Sequence, residues 1–128
     1  MTLDVKRIKS VVHPKIIQGG MGVGVSDWRL ARTVSSMGAL GVVSGTALDV
    51  VLARRLEQGD LDGQMRRALA AFPDQAVVAR ILEAHFRSDG TDETHDFRPK
   101  PMWNADRPHS AVEELIVAAN FVEVFLAK

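Results

Sequence analysis

Four glycines, Gly19, Gly20, Gly22 and Gly24, fall within six residues in the stretch "PKIIQGGMGVGVSDWRLA". Backbone without side chains lets something approach closely, either another chain segment or a flat or phosphorylated ligand. Spacing excludes two phosphate-binding motifs. A dinucleotide fingerprint needs a third glycine at its sixth position, where the frame from Gly20 has Val25 and the frame from Gly22 has Asp27. A P-loop ends in Gly-Lys-Ser/Thr, which the cluster lacks. Two readings remain: a tight strand-to-helix turn that needs small residues for packing, or a contact surface for a flat ligand.

The other reactive residue types are sparse. There is no cysteine, which removes disulfides, thiolate catalysis and Cys-ligated metal sites. The histidines are His13, His85, His95 and His109, and no two have metal-ligand spacing, so no catalytic or metal-binding residue is assigned. Arg54 with Arg55, and Arg66 with Arg67, read as solvated helix faces, Trp28 as a packing anchor, and Met65 and Met102 as gap fillers.

Those glycines must be held by secondary structure. Ile16 and Ile17 after Pro14 read as a short buried strand, and Ser26 with Asp27 as the start of a helix carrying Leu30, Ala31, Val34 and Met37 and stopping at Gly38. "ALGVVSG", Ala39 to Gly45, reads as a second buried parallel strand. Thr46 is expected to cap a helix with Leu48, Val51, Leu52 and Leu56 on one face, closing at Gly59. Asp62 is expected to cap a third helix with Met65, Ala68 and Leu69 inward, and Val77, Val78, Ile81 and Leu82 predict a fourth after Pro73. Residues 87–109 are polar and proline-rich and read as a long surface loop. Ser110 and Glu113 have capping-box spacing and predict a helix to the end of the chain, with 121–127 as a strand the weaker option. Its wheel puts Glu113, Glu114, Asn120, Glu123 and Lys128 opposite Leu115, Ala119, Val122 and Leu126.

Strands alternating with helices argue for an α/β class with parallel pairing. Sixteen basic and sixteen acidic residues cancel, so no overall field draws the chain to nucleic acid or to an anionic membrane. With no apolar run of membrane-spanning length and no secretory h-region, a cytoplasmic location is expected.

From His13 to Asp49, "HPKIIQGGMGVGVSDWRLARTVSSMGALGVVSGTALD", the chain resembles the opening of the nitronate monooxygenase family, the 2-nitropropane dioxygenase-like flavoproteins. The resemblance lies in Ile-Ile-Gln running into Gly-Gly-Met-Gly, then a helix, then Leu-Gly-Val-Val and a small-residue turn. It implies the N-terminal part of a TIM-type (β/α)8 barrel, helix-rich and with few parallel strands, that holds FMN at its strand ends. It further implies that Gly20, Met21 and Gly22 lie against the isoalloxazine ring and that Ser44, Gly45 and Thr46 line the same rim. The implied activity is oxidation of alkyl nitronates with O2, and the implied partner is a small-molecule substrate. His13 would then precede the first strand, at the barrel end away from the chemistry.

The family's glycine-rich histidine motif, of the Glu-Ala-Gly-Gly-His type, is absent from these residues. A (β/α)8 barrel takes about 250 residues. The chain is therefore expected to be a single incomplete segment, residues 1–128, that is inactive alone and self-associates through exposed barrel edges. Two alternatives stay open: a flavin-dependent enoyl-acyl-carrier-protein or quinone reductase, and a non-catalytic truncated remnant.

Overall fold

The computed structural model describes residues 13–91 and 96–128, and His95 lies outside that range. Among the described residues there are five helices: α1 (Trp28–Ser36), α2 (Leu48–Glu57), α3 (Gln64–Ala70), α4 (Gln75–His85) and α5 (Ser110–Ala127). The two expected strands are reduced to extended segments that meet in parallel at one bridge, Ile17 with Leu40. Gln18 N–H donates to Leu40 O and Leu40 N–H to Ile16 O, both at 3.0 Å. The class read from the sequence is thus present as helices plus one parallel contact, with no named strand among the described residues.

Helix α5 is the hub, packing against each of the other four. Its Leu115, Ala118, Ala119, Val122 and Leu126 are buried together with Leu52 and Leu56 of α2, Leu69 of α3 and Ile81 of α4. Residues 121–127 belong to this helix. Their aromatic content favours a strand locally, but one continuous helix buries the periodic apolar stripe against four neighbours, and tertiary packing outweighs propensity.

Helix starts differ from the sequence reading in instructive ways. At α1 the cap is Asp27, one residue later than the expected Ser26, and it accepts from Leu30 N–H. At α2 the cap is Ala47 in a left-handed conformation (φ 52°), with no side-chain bond from Thr46. At α3 the buried Asp60, also left-handed (φ 45°), accepts from the N–H groups of Met65 and Arg66, while Asp62 accepts from Gln64 N–H and pairs with Arg29. Two donors at the helix start and the Arg66 guanidinium offset the cost of burying that carboxylate. At α5 the cap is His109 and Ser110 is already helical, so the expected capping box does not form.

Several inward assignments also move. Met37 is 81% exposed and Met102 86% exposed, so neither fills the core. Ile16 and Ile17 are exposed rather than buried. Trp28 does anchor the core. Segment 96–109 has no regular secondary structure and is mostly exposed, strapped down where Arg54 donates to Arg98 O, Arg98 to Ala84 O, and Lys100 pairs with Asp49.

Candidate functional site

Ser26 organises the glycine turn. It is 1% exposed, and its Oγ accepts from Met21 N–H at 2.9 Å and from the Gln18 side-chain amide at 3.2 Å. Its carbonyl accepts from Ser44 N–H at 2.9 Å. One residue therefore ties the glycine turn to the end of the second extended segment. Gln18 adds a second tie, donating to Val42 O at 3.1 Å and accepting from Val42 N–H at 3.4 Å. In the sequence Ser26 reads as a helix cap, and Gln18 is only part of a motif.

Parallel pairing places the Gly20–Met21 turn and Ser44 at the same end of the two segments, around Ser26. Gly22 and Thr46 lie further out on the surface with no direct tie to one another, and Gly45 faces α5 instead, where a Cβ would sit 3.6 Å from Asn120 Oδ1. Asn120 is thus a rim residue that sequence reasoning placed only on a polar face. A side chain at Gly20 would meet nothing closer than Val42 Cγ1 at 3.9 Å, and one at Gly22 would meet nothing within 4 Å. The positive φ in this turn belongs to Gly24 (φ 72°), so openness rather than a left-handed backbone distinguishes Gly20 and Gly22.

The glycine that packing demands is Gly41. A Cβ there would overlap the carbonyl oxygen of Ala31, whose carbon would be 2.6 Å away. Without a side chain the second extended segment can lie directly on α1, and Gly41 N–H donates to Ser35 Oγ. The close-packing explanation of the glycine-rich sequence therefore holds at Gly41, while Gly20 and Gly22 leave free space.

Besides Asp60, two carboxylates are buried among the helices. Glu123, expected on a solvent face, is 3% exposed; it accepts from Trp28 N–H at 2.9 Å and pairs with Arg55 at 3.1 Å. Burial pushes its carboxyl above the usual range, against the opposing pull of the Trp28 N–H and the Arg55 guanidinium. Glu57, 1% exposed, pairs with Arg54 at 3.1 Å and lies 3.9 Å from the buried, unpartnered His85 Nδ1. Burial lowers the pKa of His85, opposed by Glu57. Arg54 and Arg55 thus hold buried carboxylates and are not the solvated faces expected, whereas Arg66 and Arg67 are exposed as expected, Arg66 also pairing with Asp60. His13 is exposed ahead of the first extended segment, and His109 is exposed at the start of α5. Among the described residues no three His, Asp or Glu side chains gather closely enough to hold a metal ion, and no helix is long and apolar enough to cross a membrane.

No protein-family model matches the chain, and comparison with curated proteins and with solved structures finds nothing similar.

Proposed function

We propose that these residues form the flavin-facing start of an FMN-dependent oxidoreductase of the nitronate monooxygenase type, acting on alkyl nitronates. The observation that carries this reading is the open backbone at Gly20 and Gly22, on a turn held beside Ser44 by Ser26. A flat ring system needs a surface free of side chains, and packing inside the protein does not account for the glycines there. The N–H groups of Gly20 and Gly22 meet no acceptor among the described residues and would donate to the polar edge of the ring. Met21 N–H is committed to Ser26, so Met21 would offer its half-exposed side chain as apolar contact.

FMN, when bound, supplies a two-electron acceptor whose reduced form reacts with O2. The chain's own part is to orient it: Ser26 and Gln18 hold the two rim segments at fixed separation, and Ser44 to Thr46 border the second side. No residue described here is assigned as the base that takes the substrate proton.

The test uses the polypeptide translated from the complete reading frame that encodes these residues. FMN should copurify with it, giving flavin absorbance and nitronate-dependent O2 uptake, and Gly20→Leu or Gly22→Leu should remove the flavin without loss of helical circular dichroism. A protein that binds no FMN, or that stays equally yellow after both substitutions, refutes the reading. A flavoprotein that ignores nitronates but oxidises NAD(P)H with an enoyl thioester or quinone would move it to the reductase class.

A further inference from the structure

We propose that α5 is the contact surface of a two-fold symmetric dimer, packing antiparallel against α5 of a second copy of this chain. The outward face of this helix mixes apolar and charged residues. One side is buried among α1 to α4, yet the opposite side exposes Val117 (59%) and Val124 (64%), one stripe seven residues apart with Asn120 between them. Two exposed valines in register, flanked by charges of opposite sign, are a pattern that a symmetric helix pairing can bury.

The charges on this stripe favour one occupant and one direction. Near Val117 lie Asp74, Glu113 and Glu114, around a hollow of about 410 Å³. At the other end lie Lys128 and Arg67, whose guanidinium stands 5.7 Å over the Phe125 ring. There a hollow of about 490 Å³ is lined by Asn120, Phe121, Val124, Phe125 and Lys128. Val117 and Val124 are equidistant in sequence from a point between Asn120 and Phe121, and so are Glu113 and Lys128. A two-fold axis at that point sets Val117 of each copy against Val124 of the other, and Glu113 of each against Lys128 of the other. Neither Glu113 nor Lys128 has an ion-pair partner among the described residues, whereas Glu114 is engaged by Arg80. Parallel packing would instead set acid on acid and base on base. The contact adjoins the rim through Gly45 and Asn120 but does not depend on flavin binding.

Because the chain has no cysteine, disulfide trapping can read this register directly. The proposal predicts that the double variant Val117→Cys, Val124→Cys forms a covalent dimer on oxidation. Either single variant should not, since like positions lie roughly 10 Å apart along an antiparallel pair, beyond the roughly 7 Å Cα reach of a disulfide. Sedimentation equilibrium of the wild-type protein, expressed from the complete reading frame, should give twice the protomer mass. Val124→Asp should give a monomer with unchanged helical circular dichroism. Lys128→Glu should weaken dimerisation about tenfold, and adding Glu113→Lys should restore it. Cross-linking by either single variant, a wild-type monomer in which other chain segments cover α5, or an oligomer that survives Val124→Asp but is dissolved by Ile17→Asp would each overturn the proposal; the last would assign association to the strand edge.

Discussion

The helical body and the two extended segments are held by different forces. In the body, Leu56, Leu69, Ala68 and Ala118 are fully buried, and the contacts are apolar and non-directional. In the segments Ile16, Ile17 and Leu40 face outward, and what holds them is one parallel bridge, the ties through Ser26 and Gln18, and the missing side chain at Gly41. The body draws its stability from area removed from water. The segments draw theirs from a few hydrogen bonds at fixed positions, so substitutions that disturb one region should leave clear traces of the other.

The largest effect is expected in the body. Leu56→Ala removes a fully buried side chain between α2 and its neighbours and should cost about 2–5 kcal/mol in denaturant melts. Gly41→Val should act on the other side of the comparison. Its new side chain collides with the Ala31 carbonyl, so amide exchange at Gln18 and Leu40 should accelerate while α2 to α5 keep their protection. Global unfolding accompanying Gly41→Val would show that the two regions are not separable.

A smaller effect follows from Ser26→Ala, which leaves Met21 N–H and the Gln18 amide without their acceptor. The cost should be about 1–3 kcal/mol, read as faster exchange at Met21. Equal exchange rates in the variant and the wild type would remove Ser26 from its organising role.

The smallest effects are pH-dependent and have opposite signs. Glu123 has a raised pKa, so its favourable contribution is complete below the ordinary value of 4.5 and is lost as pH rises through the folded value. His85 has a lowered pKa, so its contribution is complete above 6.5 and is lost as pH falls through the folded value. Glu123→Gln should therefore flatten the decline of the melting temperature on raising pH from about 4.5. His85→Gln should flatten the decline on lowering pH from about 6.5. Unchanged slopes in both variants would mean that neither group governs the pH response.

Much of the helical plan was legible in advance. The periodic apolar residues of α2 to α5, the start of α1 just after Ser26 and Asp27, the stop at Gly38 and the parallel neighbouring of Ile17 and Leu40 follow from local patterns of side-chain period and turn chemistry. Such patterns act within one element or between sequence neighbours, so a single chain of letters carries them. Other features required the elements to meet. Glu123 lies on the polar side of a helical wheel, yet in the fold that position abuts the start of α1 and Arg55, which make a buried carboxylate tolerable. Asp60 rather than Asp62 starts α3 because the chain turns left-handed there and brings both carboxylate oxygens onto the free N–H groups.

The glycine-rich sequence divides in the same way. Its letters show where side chains are missing, but the reason at each position depends on what comes near in space. Gly41 is required by the Ala31 carbonyl, reached only when the second segment folds onto α1. Gly20 and Gly22 stand open beside a turn that Ser26 fixes from across the chain. By itself the sequence determined local helix formation, because that depends on short-range spacing. Only the tertiary structure decided which polar groups are buried and which glycines are free, because burial and close approach are set by segments distant along the chain.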